Sequence, residues 1–416
     1  MFRYILMMQR FKTFACIVIF MVIVCYVINI NKKQQLKNLQ PQRNNNGTKE
    51  TTQFGIMTLQ DALNIAKLKE KIIINWCHNH PHKLKQLSKD YCGWCTMSTN
   101  KSLISDPRTA AVIFHNNCMM EDEMPPDHLR RPDMYYIWFN RESPLMISWR
   151  KKDFVAFENN YFNATMTYRR DSSIYTPYGA REVIRAISKF VPVKKRLGVW
   201  IVSNCKRRFG AKKRMKYFKE LLKSGLKVDT YGRCFNQTVN LERGNEEFFR
   251  FVGDYKFYFA FENSFHCRDY VTEKFIHHGL YSGTIPIVWG PKKSDVEVIA
   301  PPHSFIHVED FKSAADLANY ISYLDKNNTA YMEYHEWRKH LQLTDAYARS
   351  TAGACRLCNI LHGIEDDSEI EMRSYYVRYV DHSQRKVKVR RHIKHRVVKN
   401  LDAWWYGTDN HECLFE

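Results

Sequence analysis

The stretch YKFYFAFENSFHCRDYVTEKFIHHGLYSGTIPIVW, residues 255–289, predicts a strand, a helix and a second strand. The two outer segments, Tyr255–Glu262 and Thr284–Trp289, are apolar runs of strand length, which is typical of parallel strands buried on both faces. The segment between them, Val271–Tyr281, has the length and pattern of a helix. A helix that connects two such strands is the repeating unit of a parallel α/β sheet.

Similar strands and helices alternate over most of the chain. The other strand candidates are Ile72–Trp76, Ala110–His115, Met134–Asn140, Leu197–Ser203, Lys227–Tyr231 and Ser304–Val308, and the other helix candidates are Arg214–Ser224, Ala314–Lys326 and Ala330–His340. We therefore predict an α/β fold with two Rossmann-like, doubly wound domains, residues 69–190 and 191–360, that face a cleft. Ligands of such sheets bind beyond the carboxyl ends of the strands, so we expect a site after Ser203, Tyr231 and Glu262.

The composition is that of a globular protein, with 44% apolar and 14% aromatic residues among 416. It excludes a disordered or fibrous chain. The formal charge is +21 and the isoelectric point is about 9.4. This excess of Lys and Arg favours an anionic partner, and nucleic acid, an acidic membrane or a phosphate-bearing small molecule would each fit.

Residues 13–30 predict one membrane span. They form an uncharged stretch of 18 residues, which is about the minimum length that crosses ~30 Å of hydrocarbon as a helix. A cleaved signal peptide is the alternative, but its apolar region is usually ~7–15 residues. We expect an uncleaved signal-anchor, with residues 1–12 as a cytoplasmic tail and residues 31–68 as a flexible stem.

Ten of the 12 cysteines follow that span, as do five Asn-x-Ser/Thr sequons. An oxidising, glycosylating lumen would explain both features. The sequons are at Asn46, Asn100, Asn163, Asn236 and Asn327. We therefore predict a single-pass type II membrane protein of the secretory pathway whose large body lies in the lumen.

Several motifs resemble the signature of one enzyme family. They are residues 255–264, 269–274 and 283–290, preceded in the same order by residues 138–144, 163–171 and 176–179. Together they resemble the α1,3/α1,4-fucosyltransferases of glycosyltransferase family 10. The resemblance implies a GT-B-like fold, a Golgi membrane location and inverting transfer of L-fucose from GDP-fucose to the 3-hydroxyl of N-acetylglucosamine. The acceptor would be an N-glycan or a glycolipid, and the core and the antenna of an N-glycan are both open.

Glu142 is the candidate catalytic residue. It follows the strand candidate Met134–Asn140 and precedes Ser143 and Pro144. From the residues alone, an ordinary acid on a surface loop is the simpler interpretation. The resemblance implies instead that Glu142 is the base that accepts the proton of the acceptor hydroxyl.

The resemblance also implies which residues bind the donor. Thr272, Glu273 and Lys274 open a helix candidate, and the amino end of a helix suits a diphosphate, although Thr272 and Glu273 also fit a plain helix start. Arg214 is the second predicted cation for the diphosphate, with Lys212 and Lys213 as alternatives. The donor-binding candidates are Arg214, Tyr231, Glu262, Asn263, Tyr270, Glu273 and Lys274.

No strictly required metal is expected. The chain has no Asp-x-Asp motif, through which another glycosyltransferase architecture commonly holds a divalent ion. We expect Lys and Arg side chains to neutralise the leaving GDP instead. Stimulation by Mn²⁺ or Mg²⁺ is compatible with this expectation.

Two Cys-x-x-Cys pairs, Cys92/Cys95 and Cys355/Cys358, suit zinc, a redox site or disulfides when judged by their residues alone. The resemblance implies disulfide bridges between the two pairs. Cys77 and Cys118 are a further candidate pair.

Residues 361–416 form a basic C-terminal extension, in which residues 385–399 contain eight Lys or Arg. We assign this extension no catalytic role and expect no nucleic-acid partner. A membrane-tethered nucleic-acid binder and a non-catalytic luminal glycan-binding protein of the same fold are the alternatives.

Overall fold

The computed structural model of the chain describes residues 70–76, 95–119, 124–148, 157, 161–178, 191–206, 209–339, 352–362, 400–407 and 413. The predicted tail, membrane span and stem, residues 1–68, lie outside these residues. Within the described ranges, no helix is both long and apolar enough to cross a membrane.

The first sheet has six parallel strands among the described residues, in the order β2-β1-β3-β4-β5-β6. The strands are β1 (Lys71–Asn75), β2 (Cys95–Ser98), β3 (Thr109–His115), β4 (Tyr135–Asn140), β5 (Ala164–Thr167) and β6 (Ile174–Tyr175). From the central β1, the chain adds β2 on one side of the sheet and then β3 to β6 on the other side.

The second sheet, built from the described part of residues 191–339, has five parallel strands in the order β11-β10-β9-β7-β8. They are β7 (Arg196–Ile201), β8 (Asp229–Tyr231), β9 (Tyr255–Phe261), β10 (Ile285–Trp289) and β11 (Ile306–His307). The winding direction reverses between β7 and β9, and ligands of α/β sheets bind at the carboxyl edge of such a switch point.

The predicted α/β class is confirmed, and every predicted strand is present. The sequence did not predict β2, β5 and β6. The first two are half polar and four residues long, and β6 has only two residues, so none has a clear apolar pattern.

The helices are α1 (Pro144–Ile147), α2 (Phe209–Lys223), α3 (Glu246–Gly253), a π-helix (Lys274–Tyr281), α4 (Lys293–Ile299), α5 (Ala314–Lys326), α6 (Asn328–Glu333), α7 (Ala352–Leu361) and α8 (Leu401–Tyr406). Short 3₁₀ helices are Lys101–Ser105, Asn116–Cys118, Asp127–Leu129, Val308–Asp310 and Glu336–Lys339. The predicted helix Val271–Tyr281 begins only at Lys274, and the Thr272 N–H before it donates to the Glu262 carboxylate. The prediction for Ala330–His340 is replaced by α6 and a 3₁₀ turn.

The last two helices pack on the first sheet. In α7, Leu357 and Cys358 are buried with the face of the sheet that carries Ile113. In α8, Leu401 and Trp405 are buried with the opposite face, although the sequence suggested only an extension beyond residue 360. The chain therefore returns to the first sheet after completing the second.

A disulfide joins Cys95 to Cys358, one cysteine from each Cys-x-x-Cys pair, as the resemblance implied. Sulfurs bonded to each other are not thiolate ligands, which argues against zinc at this pair. The predicted partners Cys92 and Cys77 lie outside the described residues, and the side chains of Cys355 and Cys118 are also outside them. The sequence did not predict two further disulfides, Cys205–Cys234 and Cys267–Cys413.

The described sequons differ in how accessible their amides are. Asn100 and Asn236 are exposed. The amide nitrogen of Asn163 donates to the Met134 carbonyl at 2.9 Å, and that of Asn327 donates to the Tyr323 hydroxyl at 3.0 Å. The fold therefore leaves Asn100 and Asn236 as the more accessible sites, and Asn46 lies outside the described residues.

His335 is predicted to make the stability of the fold depend on pH. It is 3% exposed, and its Nδ1 accepts from Arg338 Nε at 3.2 Å, so burial and the nearby cations lower the pKa of His335 to about 2. Below pH 6.5 the His335 side chain binds a proton in the unfolded chain but stays neutral in the folded chain. Each further pH unit of acidification therefore lowers the free energy of unfolding by about 1.4 kcal/mol through this residue.

The substitution His335→Asn keeps a hydrogen-bond acceptor and removes this titration. Urea midpoints measured between pH 7.5 and 4.5 should fall less steeply in the variant below pH 6.5, while the curves run parallel above pH 7. Parallel curves over the whole range would contradict this prediction.

Candidate active site

Glu142 lies on the loop that follows β4. The Asn140 side chain closes this loop, donating from Nδ2 to the Glu142 carbonyl at 2.8 Å and accepting from the Glu142 N–H at 3.2 Å. Ser143 then caps α1 by accepting from the Met146 N–H, and Pro144 fits the first helical position. The Glu142 carboxylate is thereby fixed, still exposed, at the carboxyl end of β4.

Two contacts join this loop to the loop after β9. The hydroxyls of Ser143 and Ser264 lie 2.5 Å apart, and both residues are buried. Ser264 donates its single hydroxyl hydrogen to Asn263 Oδ1 at 3.1 Å, so Ser143 is the donor in the pair. The Tyr270 hydroxyl donates to Glu142 Oε2 at 3.2 Å. The predicted base and the loop with the predicted donor contacts therefore meet.

Lys274 is the centre of a compact charged cluster. Its Nζ donates to Glu262 Oε2 at 3.0 Å, to Thr272 Oγ1 at 2.8 Å and to Glu273 Oε1 at 3.1 Å. Glu262 is 1% exposed, and its other oxygen accepts from the Thr272 N–H at 2.9 Å and hydroxyl at 2.6 Å. All three ammonium hydrogens are thus used within the protein.

The charged groups of this cluster shift one another's pKa values. Burial alone would lower the pKa of Lys274, but the carboxylates of Glu262 and Glu273 outweigh it, and that pKa is raised. Burial raises the pKa of Glu262 despite its attraction to Lys274. Burial also acts to raise the pKa of Glu273, but the Lys274 charge and hydrogen bond help to lower it to about 2. Lys274 therefore stays a cation at neutral pH.

Arg214, in the second turn of α2, bridges the switch point between β7 and β9. It is 2% exposed, and its terminal nitrogens donate to the Phe261 carbonyl at 2.6 Å and the Asn204 carbonyl at 2.7 Å. Burial lowers the pKa of Arg214, while attraction to Glu262 opposes this effect. Its charge therefore lies beside the Lys274 cluster, although its end nitrogens bind backbone oxygens.

The first turn of α2 presses on the loop after β9. A Cβ at Gly210 would lie 2.5 Å from the Asn263 carbonyl, so only glycine permits this approach. Lys213, three residues further along α2, is partly exposed, and its Nζ lies 4.5 Å from the centre of the Phe209 ring and 4.7 Å from that of Phe265. The alternative cation Lys213 is therefore more accessible than Arg214.

Tyr231 is the one predicted donor residue whose described contacts all lead elsewhere. It ends β8, its hydroxyl lies 3.4 Å from that of Tyr255, and its ring packs edge-on to Phe251. These contacts belong to the packing around α3. The structure thus brings Glu142, Tyr270, Glu262, Glu273, Lys274, Arg214 and Asn263 together, but gives Tyr231 no contact with them.

A second set of contacts beside Glu142, made by Tyr178, was not predicted from the sequence. The Tyr178 hydroxyl donates to the Arg141 carbonyl, and the Arg141 guanidinium lies 4.1 Å from the centre of the Tyr178 ring. Burial lowers the pKa of His277, so its ring is neutral and its Nε2 can donate to the Tyr178 carbonyl at 3.1 Å. The motif at residues 176–179 was the available signal for Tyr178.

Arg170 adds an ion-pair network between the sheets. Its side-chain Nε lies 2.5 Å from Asp269 Oδ1, and its Nη2 lies 3.2 Å from Asp295 Oδ1. Its backbone N–H donates to Asp269 Oδ2 at 3.0 Å. Asp269 directly precedes Tyr270, so Arg170 fixes the loop that reaches Glu142. The motif at residues 163–171 contains Arg170 but did not reveal this partner.

Removal of the Lys274 charge is predicted to destabilise the fold. Lys274→Met leaves Glu262 as an uncompensated buried charge and should cost about 3 kcal/mol in the free energy of unfolding, whereas the double variant Glu262→Gln/Lys274→Met should recover most of that loss. Lys293→Met is the control, because its ion pair with Asp310 is exposed and should contribute less than about 1 kcal/mol. Additive losses in the double variant, measured by urea unfolding, would contradict the prediction.

Comparison with known proteins identifies the family of the chain. Residues 68–179 match "Fucosyltransferase, N-terminal", and residues 191–376 match "Glycosyltransferase family 10 (fucosyltransferase) C-term". The chain is 34% identical over 314 residues, 75% of each chain, to 4-galactosyl-N-acetylglucosaminide 3-alpha-L-fucosyltransferase 9 of Rattus norvegicus. It is 35% identical to the FUT6 enzyme of Pongo pygmaeus, over 73% of this chain and 80% of that one. A crystal structure of an alpha1,3-fucosyltransferase with GDP-fucose aligns at a TM-score of 0.43 and 18% identity, over 72% of this chain and 90% of that chain. The chain belongs to the fucosyltransferases of glycosyltransferase family 10.

Proposed function

We propose that this protein is an inverting α1,3-fucosyltransferase that moves L-fucose from GDP-fucose to the 3-hydroxyl of an N-acetylglucosamine residue. The observation that carries the proposal is the contact between Tyr270 and Glu142, at 3.2 Å. It connects an exposed acid at the end of β4 to the loop that leads into the Lys274 cluster. Transfer from a nucleotide sugar needs, in one site, a carboxylate that accepts the acceptor's proton and a cation that neutralises the departing diphosphate.

Glu142 acts as the base. The acceptor 3-oxygen attacks the anomeric carbon of fucose on the face opposite GDP, and Glu142 accepts the hydroxyl proton. The bond from that carbon to the β-phosphate oxygen breaks, and its electron pair leaves with GDP. Burial is the main reason why the pKa of Tyr270 is well above 10, so its hydroxyl keeps its proton and orients the carboxylate.

Lys274 neutralises the departing diphosphate. Because its three ammonium hydrogens are already used, one partner must be exchanged for a phosphate oxygen when the donor binds. Glu273 is the partner to be exchanged, since its side chain is 37% exposed whereas that of Glu262 is 1% exposed. Released from Lys274, the Glu273 carboxylate is free to accept hydrogen bonds from sugar hydroxyls.

The other donor residues act in different ways. Arg214 contributes its charge from a buried position and holds the carboxyl ends of β7 and β9 together, while Lys213 offers a more accessible ammonium. Glu262 acts on the donor through Lys274, and Asn263 is held beside α2. Tyr231 packs the guanine only if its side chain turns away from Tyr255.

The two sheets are proposed to form the two lobes of a GT-B-like enzyme, with the donor on the second lobe and the acceptor on the first. The names of the relatives specify 4-galactosyl-N-acetylglucosaminide as the acceptor, which favours an antennal N-acetylglucosamine on an N-glycan or glycolipid. We propose a Golgi membrane location, with a single span at residues 13–30 and the body in the lumen. A non-catalytic glycan-binding protein would have no need for the assembled Glu142 and Lys274.

Replacing the base should abolish turnover without preventing donor binding. In Glu142→Gln the proton acceptor is lost while the shape is kept, so kcat should fall by about 100-fold or more with an N-acetyllactosamine acceptor. Binding of GDP, measured by calorimetry, should change by less than about twofold, because Glu142 does not contact the Lys274 cluster directly.

The matched control is Glu333→Gln, which changes an exposed acid on α6 and should leave both quantities unaltered. Near-normal turnover in Glu142→Gln would remove Glu142 from the mechanism. A loss of GDP binding equal to the loss of turnover would show that Glu142 acts on the donor instead.

Chelation of metals should leave activity largely intact. Because Lys274 is proposed to supply the positive charge, the full-length protein in detergent should keep its turnover within about threefold in EDTA. The assay uses labelled GDP-fucose and N-glycans with and without antennal galactose or the core disaccharide, in EDTA and in Mn²⁺. Complete dependence on Mn²⁺ would contradict the proposed role of Lys274, and transfer to the core alone would overturn the antennal assignment.

A further inference from the structure

Trp405, in the short helix α8, is buried against the first sheet behind the candidate site. It is 0% exposed, and its ring centre lies 4.8 Å from that of Trp138 and 5.7 Å from that of Tyr168. The Tyr406 hydroxyl donates to the Ile147 carbonyl at 3.0 Å. This helix lies beyond residue 376, where the family match ends.

From Trp405, contacts continue to the candidate base. The Tyr168 ring packs edge-on to the Tyr270 ring, with centres 5.0 Å apart. Tyr270 is 2% exposed, and its hydroxyl donates to the Glu142 carboxylate. Buried aromatic rings in edge contact leave one another little room to shift, so the position of Trp405 bears on that of Tyr270.

Arg169 ties the end of α8 to the same region. Its Nη1 donates to the Trp404 carbonyl at 2.6 Å, where a cation suits the carboxyl end of a helix. The same guanidinium pairs with Asp171 at 2.7 Å, and Asp171 also pairs with Arg268 at 2.7 Å. A chain of charges therefore runs from α8 to the loop that carries Tyr270.

A disulfide makes this connection covalent. Cys413 is bonded to Cys267, and the Cys267 carbonyl accepts from the Tyr270 N–H at 3.1 Å. The C-terminal strap, which we define as residues 400–407 with Cys413, therefore packs on the first sheet and is bonded to the loop of the second. Its contacts reach the loop of Tyr270 through Cys267, and the helix that follows Glu142 through the Ile147 carbonyl.

We propose that the C-terminal strap positions Tyr270 and, through it, Glu142, so that Trp405 and the Cys267–Cys413 disulfide are positioning elements of the transfer reaction. This inference rests on the proposed function, because it assumes that Glu142 is the base. It gives the C-terminal strap, which the sequence placed in a basic extension, a part in catalysis without any contact with substrate.

The test compares Cys413→Ser, Trp405→Ala and Trp405→Phe with the control Cys358→Ser, which breaks the Cys95–Cys358 disulfide on the opposite face of the first sheet. All are full-length proteins in detergent. Cys413→Ser and Trp405→Ala should each lower kcat by about 10- to 100-fold with GDP affinity unchanged within about twofold. Trp405→Phe should restore most of the turnover, and Cys358→Ser should lower the thermal midpoint with kcat within about twofold of wild type.

A double variant separates positioning from general destabilisation. If the strap acts through Tyr270, then Tyr270→Phe/Cys413→Ser should lose no more turnover than Tyr270→Phe alone, while their effects on the thermal midpoint add. Unchanged kcat in folded Cys413→Ser overturns the inference, as does an equal kcat loss in Cys358→Ser. If Trp405→Ala does not fold, Cys413→Ser decides alone, since it leaves no large cavity. Near-normal turnover in Glu142→Gln would show that Glu142 is not the base. That measurement is made on a separate variant, so the two hypotheses can fail independently.

Discussion

Two hydrogen bonds between the sheets, Ser143 to Ser264 and Tyr270 to Glu142, make one site out of two separate sheets. Each sheet has its own core and its own switch point, and Tyr270 from the loop after β9 is buried in the core of the first sheet. The serine pair is buried, and a buried hydroxyl that loses its partner costs free energy, so the two loops are held in one register. The Tyr270 contact then places an exposed acid at the margin of a charged cluster, which is where a reaction between a neutral alcohol and a nucleotide sugar needs it.

The charged cluster is balanced in a way that suits a ligand-binding site. Lys274 is held between one buried and one accessible carboxylate, and Arg214 adds a second cation nearby. The buried pair with Glu262 keeps the ammonium in place, whereas the contact with Glu273 can be given up. In the proposed mechanism a diphosphate replaces Glu273, and Glu262 keeps its pairing with Lys274. The same arrangement makes the site costly to alter, because the removal of either member of the buried pair leaves a lone charge inside the protein.

Most of the fold could be predicted from the sequence, because long apolar runs such as Tyr255–Phe261 specify buried strands whatever surrounds them. The roles predicted for Glu142 and Lys274 rest on motifs and on the family resemblance that those motifs carry. The sequence could not show that Arg214 turns its nitrogens to backbone carbonyls, since this depends on the spacing of β7 and β9. Tyr231 ends the expected strand, but a tyrosine at a strand end fits a core as well as a nucleotide. The C-terminal strap was missed because the aromatic triplet Trp404–Tyr406 follows a basic tract, and its partners lie more than 100 residues earlier in the chain.

A crystal structure of the full chain with GDP and an N-acetyllactosamine acceptor would show whether Glu142 and Lys274 serve one reaction centre. We expect a β-phosphate oxygen about 3 Å from Lys274 Nζ, Glu273 moved off the ammonium, and the acceptor 3-hydroxyl within hydrogen-bond distance of the Glu142 carboxylate. A diphosphate bound away from Lys274, or an acceptor hydroxyl held by another base while Glu142 faces solvent, would contradict this expectation.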